Sequence, residues 1–428
     1  MKLPPCLSIL SGHLCIGGQD CVEIASRYGT PLYVTDGDRI IGNYSAYERA
    51  LHSHYSRIRV LYAAKANGNL AILRLLKEAG AGADVFSSGE LSLALRAGMA
   101  PRDLLFNGNS KSPADLTLAI RNGVKISVDS LDELELIESL AAEEGNEVEI
   151  AFRVNPAIEV PTHPKIATGL RTSKFGIPHE QIKGAYEVAL SREHVRPIGI
   201  HCHIGSQILD VDPFEKEAEV MVRIAGSLVD LGVPLDFIDL GGGLGIPYRH
   251  ATDPAPTPED YANRVMPVFL RGMKEVGIQP ALWVEPGRYL VGDSTVLLTR
   301  VNSVKEAHRR FVNVDAGFNL LIRPMMYDAY HEVVLANRAL DPSQIMCTIA
   351  GPICESGDIL AYDRPLPIVR AGDLIGVLDT GAYGFAMSSQ YNARPRCAEV
   401  LVRGGSITVM RRAETIQDII VPMEARKW

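Results

Sequence analysis

A lysine that could act as a nucleophile stands at the end of an apolar run. Lys65 follows RVLYAA (59–64), which has the composition of a buried β-strand. A lysine that is partly removed from water loses its charge easily and then attacks carbonyl carbons through its free amine. The alternative is a surface lysine at a strand end, which is the commoner case for a single lysine. Its chemistry therefore depends on which other residues lie nearby.

Two further segments carry groups that suit an anion. The glycine-rich run 241–245 follows DFIDL, and glycine lets backbone N–H groups approach a ligand. The segment EPGR follows ALWV, and its carboxylate, Glu285, could keep a ring nitrogen protonated. The planar guanidinium of Arg288 could hold a phosphate or a carboxylate. A tight turn and a surface ion pair are the simpler alternatives.

Polar residues also end other apolar runs. His201 and His203 lie two residues apart on one face of PIGIHCHI, and Ser206 follows. This spacing could bind a metal ion, but no further cluster with the spacing of zinc ligands is visible, so we predict no metal site. A histidine stacked on a flat cofactor, with Ser206 at its phosphate, agrees better with the glycine run. Asp84 and Arg153 end two more runs, and acids and bases gathered in one place favour a functional site.

Eight short runs of apolar and β-branched residues alternate with stretches of helical periodicity and could position these groups. This alternation predicts a parallel sheet. Eight repeats over roughly 230 residues match the size of a TIM-type (β/α)8 barrel, in which catalytic groups gather at the C-terminal ends of the strands. The predicted strands cover residues 59–64, 83–87, 104–108, 125–130, 149–155, 197–204, 236–242 and 281–286.

The pattern changes after residue 290 to short strand-like runs that are separated by Gly, Asp and Pro. Few helical patterns lie between these runs, which predicts a β-rich, barrel-like domain. We therefore predict a cofactor-binding barrel over residues 36–285 and a C-terminal β domain over residues 286–428. The N-terminal residues 1–35 are predicted to join the β domain.

The overall composition argues against several classes of function. The chain has 428 residues and a formal net charge of −8 without a basic cluster, so we expect no nucleic-acid partner. The N-terminus is a poor signal peptide, and no apolar stretch is long enough to cross a bilayer. Seven cysteines without a CxxC pair are typical of reduced thiols. We expect a cytoplasmic protein with no membrane association.

The motifs occur in the order of a known family. From TPLYVTD (30–36) to the final β domain, the chain resembles the diaminopimelate decarboxylases. That family belongs, with ornithine decarboxylase, to the alanine-racemase-like (fold type III) decarboxylases that use pyridoxal 5′-phosphate (PLP). Each motif alone is weak, but the ordered set is specific. In chain order the motifs are YAAKAN, GADVFSSGEL, FNGNSKS, VDS, HPKIATGLRTSKFG, HCHIGSQ, LGGGLGIPY, EPGRYLVG, LIRPMMYDAYH, CESGD and GAYGFAMSSQYNARPR.

The resemblance implies a PLP-dependent carboxy-lyase and assigns roles to matching positions. Lys65 would carry the cofactor as a Schiff base, His203 would stack on its ring and Glu285 would pair with its ring nitrogen. Cys354 would be the general acid, delivered from the other subunit of a homodimer. The residues that would complete the cofactor site are Asp84, Ser206, Gly242, Gly243, Gly287, Arg288 and Tyr383. Those that would bind the substrate are Arg288, Arg323, Tyr327, Glu355 and Tyr383.

A few positions depart from the family pattern near the substrate-binding segment. Leu320 stands where the family usually has Asp, and Gln390 stands where Asn is usual. Met325 and Met326 replace a smaller pair. These changes leave the cofactor chemistry intact but leave the choice of substrate open.

Three functions are therefore compatible with the sequence. The first is decarboxylation of meso-diaminopimelate to L-lysine, supported by Arg323, Tyr327 and Glu355. The second is decarboxylation of a glutamyl group on an acyl-carrier protein, as in butirosin-type antibiotic biosynthesis. The third is a non-catalytic regulator similar to the antizyme inhibitors, against which the intact Lys65 and Glu285 argue.

Overall fold

The chain divides into two compact units. The computed structural model describes residues 2–160, 162–163, 166 and 168–424. Residues 43–246 and 254–289 form the barrel unit, and residues 2–42, 247–253 and 290–424 form the sheet unit. Positions 164, 165 and 167 of the motif HPKIATGLRTSKFG, and the predicted domain ends at 1 and 425–428, lie outside the described residues. The domain limits at residues 36 and 285 stay a prediction.

The helices and strands are numbered in chain order. The first are β1 (Leu7–Leu10), β2 (His13–Ile16), β3 (Gln19–Asp20), α1 (Cys21–Tyr28), β4 (Leu32–Asp36) and α2 (Gly37–His52). Then follow β5 (Ile58–Ala63), α3 (Leu70–Ala79), β6 (Gly82–Val85), α4 (Ser88–Arg96), β7 (Leu104–Phe106), α5 (Pro113–Arg121), β8 (Lys125–Val128), α6 (Leu131–Glu144), β9 (Val148–Asn155), β10 (Ile177–Pro178), α7 (Ile182–Leu190), β11 (Val195–Cys202), α8 (Asp212–Asp230), β12 (Phe237–Asp239), α9 (Pro258–Val276) and β13 (Ala281–Val284). The last are α10 (Arg288–Val291), β14 (Thr295–Glu306), β15 (Arg310–Val314), α11 (Arg323–Tyr327), β16 (Val333–Leu335), β17 (Ile345–Ala350), β18 (Ile359–Leu366), β19 (Leu374–Val377), β20 (Ala398–Arg403), β21 (Ser406–Arg411) and α12 (Ile416–Ile420). Within the described ranges, every helix is too short or too polar to span a membrane.

Eight parallel strands close into a barrel in the first of these units. They pair in the order β5, β6, β7, β8, β9, β11, β12 and β13, and β13 pairs again with β5. The two-residue strand β10 adds to β9 outside this ring. The predicted TIM-type barrel and all eight of its predicted strands are therefore confirmed.

The barrel strands are buried on both faces, which explains their continuous apolar sequences. Helices cover the outside, and side chains such as Leu61, Leu105 and Ala151 fill the inside. The rings of Phe237 and Trp283 stack in this core with their centroids 4.0 Å apart. Because the interior is packed, the polar groups of the barrel must lie at the strand ends.

A buried ion pair supports the loop after β7. The ammonium group of Lys111 contacts the carboxylate of Glu133 and donates to the carbonyl oxygens of Gly108 and Ser127, at 2.6 Å and 2.9 Å. Burial lowers the pKa of Lys111 and raises that of Glu133, while each charge opposes the shift of the other. The three acceptors of Lys111 give it a structural place in the motif FNGNSKS.

The sheet unit is rich in β-structure, as predicted. Its largest sheet has the order β18, β17, β15, β14, β4, β20 and β21, and β19 joins β14 to β16. The strands β1, β2 and β3 form a separate antiparallel sheet. The N-terminal strand β4 lies between β14 and β20, so residues from both ends of the chain build one core.

We predict that Gly272→Ala lowers the free energy of unfolding by about 1–3 kcal/mol, the usual cost of overfilling a packed core. Gly272 is buried in α9, where a methyl group would lie 3.0 Å from Cβ of Val222 and overlap its methyl groups. Since Val222 belongs to α8, the two helices would have to separate. Denaturant unfolding followed by circular dichroism measures the change.

The matched control is Gly184→Ala in α7, because nothing lies within 4 Å of the added methyl group. We expect this substitution to be neutral or to stabilise the protein by up to about 1 kcal/mol, since alanine favours the helix more than glycine does. Equal losses of stability at the two positions would contradict the packing argument.

Candidate active site

Lys65 lies in a short turn directly after β5, at the C-terminal end of the barrel. Its side chain is 30% exposed, and its ammonium group pairs with the fully buried carboxylate of Asp84 at the end of β6. The ammonium nitrogen also lies 5.4 Å from the centroid of the Phe86 ring. The lysine is thus partly desolvated and directed into the barrel end, as its chemistry requires.

An asparagine links this ion pair to a second buried carboxylate. The side-chain amide of Asn107, after β7, donates to Asp84 Oδ1 and to Glu285 Oε1, both at 2.7 Å. Glu285 follows β13 and is 3% exposed. The ends of four barrel strands therefore contribute to one continuous set of hydrogen bonds.

The charges around Glu285 favour its ionised form. Burial alone would raise the pKa of Glu285, but the nearby His201 and Lys65 outweigh it and lower the pKa below its ordinary value. Nε2 of His201 lies 3.5 Å from Glu285 Oε2. Asp239 shows the opposite behaviour, since burial and the charge of Glu285 raise its pKa well above the ordinary value. The surroundings thus favour the ionised form of Glu285 and the protonated form of Asp239.

His203 presents a neutral ring at the same strand end. Burial lowers its pKa well below the ordinary value, and the positive charges of Lys65 and Arg153 lower it further. The backbone N–H of Gly242 donates to His203 Nδ1 at 3.1 Å, so this nitrogen is an acceptor. A neutral aromatic ring with a fixed orientation can stack on a flat ligand.

Glycines bring the loops after β11, β12 and β13 into contact. A Cβ atom on Gly243, whose φ is +124°, would lie 2.6 Å from the carbonyl oxygen of Gly205. One on Gly242 would overlap the carbonyl oxygen of Glu285, and one on Gly287 would lie 3.0 Å from Cβ of Ala63. Side chains at these positions would push the loops apart.

A site for an anion lies where these loops meet. The guanidinium of Arg288 donates to Ser206 Oγ, with Nη2 at 3.0 Å. Arg288 is 6% exposed, so its charge acts in a region of low dielectric constant. Among the described residues, the N–H of Gly243 has no acceptor. A cation, a hydroxyl and an N–H group are the donors that phosphate needs.

The donor set as a whole fits PLP. The partly desolvated amine of Lys65 suits its aldehyde, and the ionised Glu285 suits a protonated ring nitrogen. The neutral ring of His203 suits its flat face, and Arg288 with Ser206 suits its phosphate.

The two histidines that suggested a metal ion do not act together. His201 Nδ1 lies 2.9 Å from Ser127 Oγ, whereas His203 Nδ1 accepts the N–H of Gly242. His201 instead groups with Asp239 and Glu285, whose ligand atoms all lie within 4.8 Å of one another and of the imidazole. Glu285 belongs to the hydrogen-bond set described above, so this group is part of the same site.

Apart from Arg288, the predicted substrate residues and the general acid belong to the sheet unit, where Arg323 is buried among its neighbours. Arg323 begins α11, and its guanidinium lies 2.7 Å from His331 Nε2 and 4.4 Å from the Tyr248 ring centroid. His331 Nδ1 lies 2.8 Å from the carbonyl oxygen of Leu378, so Nδ1 is the donor and Nε2 accepts from Arg323. Tyr327 ends the same helix and is partly exposed.

Cys354 and Glu355 lie in the loop between β17 and β18. Cys354 is the one exposed cysteine of the seven. Its N–H donates to Asn392 Oδ1 at 2.8 Å, and Glu355 Oε1 accepts from the hydroxyl of Tyr391 at 2.9 Å. This thiol is therefore accessible on a hydrogen-bonded loop.

Leu320 and Gln390, which depart from the family pattern, and Tyr383 differ in burial and in their hydrogen bonds. Leu320 is buried in the core of the sheet unit, and its carbonyl oxygen accepts from the Tyr33 hydroxyl at 2.7 Å. Gln390 Nε2 donates to Glu414 at the surface. Tyr383 lies in a turn with φ of +57° and is partly buried.

Three residues of the barrel site are not among the residues predicted from the sequence. They are Asn107, Asp239 and His201, of which only His201 enters the sequence analysis, as a candidate metal ligand. All three lie at or just after the C-terminal ends of predicted strands, in LLFNG, DFIDLGG and PIGIHCHI. The rule that identified Lys65 and Glu285 could have identified them as well.

Comparison with known proteins gives a consistent assignment. The family described as "Pyridoxal-dependent decarboxylase, pyridoxal binding domain" matches residues 38–292. A diaminopimelate decarboxylase of Archaeoglobus fulgidus is 53% identical over 98% of this chain and 99% of that protein. One of Methanothermobacter thermautotrophicus is 46% identical over 96% of this chain and 95% of that protein. The crystal structure of diaminopimelate decarboxylase from M. jannaschii in complex with L-lysine is 38% identical, covers 99% of both chains and has a TM-score of 0.94.

Both the residues at the barrel end and the similarity over the whole chain lead to one conclusion. The chain belongs to the diaminopimelate decarboxylase family of PLP-dependent decarboxylases.

Proposed function

We propose that the chain decarboxylates meso-diaminopimelate to L-lysine and CO2. The observation that carries this proposal is the network from Lys65 through Asp84 and Asn107 to the ionised Glu285, which supplies an amine and an anion for PLP. Relatives named diaminopimelate decarboxylase cover nearly the whole chain, which favours this substrate over a carrier-bound glutamyl group.

The cofactor, when bound, supplies a protonated ring that withdraws the electrons left on the α-carbon as CO2 leaves. In our proposal Lys65 holds the aldehyde carbon. Asp84 orients the lysine and compensates its positive charge. Glu285 holds a proton at the ring nitrogen, and His203 supports the ring face.

The phosphate is assigned to the meeting point of three loops. Arg288 and Ser206 supply a cation and a hydroxyl, and Gly243 supplies an N–H group. Gly242 and Gly287 contribute by letting the loops pack closely. We also assign Tyr383 to the phosphate and the substrate on the basis of its position in the family motif GAYGF.

The distal end of the substrate is assigned to residues of the sheet unit. Arg323 is 5% exposed and carries a charge that suits a carboxylate, while Glu355 suits the distal ammonium group. Tyr327 supplies a hydroxyl from the same helix as Arg323, and Arg288 contributes from the barrel. A substrate with an amino group and a carboxylate at its far end requires this combination.

Cys354 is the proposed donor of the proton that replaces the carboxylate on the α-carbon. Its exposure on the β17–β18 loop supports delivery to another copy of the chain, so we propose a homodimer with shared sites. The seven cysteines of the structure are all free thiols, which supports the proposed location in a reducing cytoplasm.

The proposed substrate is tested by incubating the PLP-loaded protein with meso-diaminopimelate and measuring CO2 and L-lysine. L-ornithine, L-arginine and L-glutamate serve as parallel substrates, and Lys65→Ala serves as the inactive control because it lacks the amine. We expect lysine from meso-diaminopimelate and no comparable turnover of the others. Intact cofactor binding without turnover of any free amino acid would contradict the proposal and favour a carrier-bound substrate.

We predict that Cys354→Ala lowers kcat by roughly 10²- to 10⁴-fold, the usual contribution of a positioned general acid, while PLP still binds. Stopped-flow absorbance measures turnover, and the absorbance of the bound cofactor measures its occupancy. Cys6→Ala is the matched control, because Cys6 is only partly buried and has no proposed role. If kcat of Cys354→Ala equals that of Cys6→Ala, another group donates the proton.

A further inference from the structure

Two buried side chains beside Glu285 have no part in the function proposed above. His201 in β11 is 1% exposed, and Asp239 at the end of β12 is fully buried. Each has one polar atom engaged away from Glu285. His201 Nδ1 lies 2.9 Å from Ser127 Oγ, and Asp239 Oδ1 accepts the N–H of Gly241 at 2.7 Å.

The second polar atom of each side chain lies near the Glu285 carboxylate. His201 Nε2 is 3.5 Å from Glu285 Oε2, and the ligand atoms of His201, Asp239 and Glu285 lie within 4.8 Å of one another. In the described structure, His201 Nε2 and Asp239 Oδ2 are buried without a hydrogen-bond partner. Buried polar atoms are usually satisfied, so these two atoms require an explanation.

The balance of charge supplies that explanation. Asp84, Asp239 and Glu285 are three buried carboxyl groups in one site, and they cannot all be ionised at low cost. Lys65 neutralises Asp84 directly. Burial and the charge of Glu285 both raise the pKa of Asp239, which favours its protonated form. In that form Oδ2 is a donor close to the Glu285 carboxylate.

We propose that His201 and Asp239 are positioning residues that act through Glu285, with the imidazole and the neutral acid holding this carboxylate ionised and fixed toward the ring nitrogen of the cofactor. The proposal rests on the role given to Glu285 above. Together with the amide of Asn107, His201 and Asp239 would give Glu285 donors from the ends of three strands. Neither residue touches the cofactor, and both act on its electronics by keeping the ring nitrogen protonated.

The most direct test observes that nitrogen in the resting protein. Protein is loaded with PLP that carries nitrogen-15 in the ring, and the nitrogen chemical shift reports whether the ring is protonated. No substrate is present, so an incorrect choice of amino-acid substrate would not affect the result. A wild-type ring that is not protonated would show that the role given to Glu285 is wrong, whereas the proposed function is tested separately by CO2 and L-lysine release from meso-diaminopimelate.

The variants separate a hydrogen-bond role from a role in packing. Asp239→Asn keeps a donor for Glu285 and an acceptor for Gly241, whereas Asp239→Leu keeps neither. His201→Phe keeps the ring without its nitrogens, and His201→Gln keeps an N–H donor if the phenylalanine variant fails to fold. Glu217→Gln is the control, because Glu217 is a fully buried carboxyl with a strongly raised pKa and no proposed contact with the cofactor.

We expect Asp239→Asn and Glu217→Gln to keep the wild-type chemical shift and to change kcat by less than about threefold. We expect His201→Phe and Asp239→Leu to shift the ring toward the unprotonated form. Their kcat should fall roughly tenfold or more with little change in KM, as for a lost hydrogen bond to a charged group. His201→Gln should lie between these limits.

Two results would overturn the proposal. One is a protonated ring with unchanged kcat in Asp239→Leu and in His201→Phe or, if that fails to fold, His201→Gln. The other is a loss in Asp239→Asn as large as in Asp239→Leu, since an ionised Asp239 would then be needed. A stoichiometric divalent cation in the purified protein, measured by mass spectrometry, would give the second result a cause, because the same three residues could bind it.

Discussion

The ion pair between Lys65 and Asp84 begins a chain of contacts on which the chemistry of the barrel end depends. Asn107 extends this chain to Glu285, so the two carboxylates are held by one amide. Burying several acids in one place is costly unless positive charges and donors compensate. In this site the ammonium group of Lys65 neutralises Asp84, and the imidazole of His201 lies beside Glu285.

The barrel makes this arrangement possible by bringing distant parts of the chain to one edge. Lys65, Asp84, Asn107 and Glu285 end β5, β6, β7 and β13, which are neighbours in the closed sheet. The loops after β11, β12 and β13 can meet only because glycines leave room for their carbonyl groups. Cofactor binding is therefore a consequence of strand order and of close loop packing together.

The barrel and most of its polar residues could be predicted from the sequence because strand–helix alternation and residues at strand ends are local signals. Asn107 and Asp239 also lie at strand ends, but position alone does not show which strand-end side chains form hydrogen bonds with one another, because the barrel strands are apolar on both faces and do not alternate. The order of strands in the sheet unit was beyond prediction, since β4 pairs with β14 and β20 across most of the chain. Likewise, only the structure shows that Cys354 is exposed while most of the other cysteines are buried.

We propose that Lys65 holds the cofactor at the barrel end. Borohydride reduction of the PLP-loaded protein makes the link between an amine and the cofactor permanent, and peptide mass spectrometry then locates it. We expect the modified peptide to contain Lys65 and Lys111, with its three acceptors, to be unmodified. A cofactor linked to Lys111 or to a lysine of the sheet unit would contradict the role of Lys65.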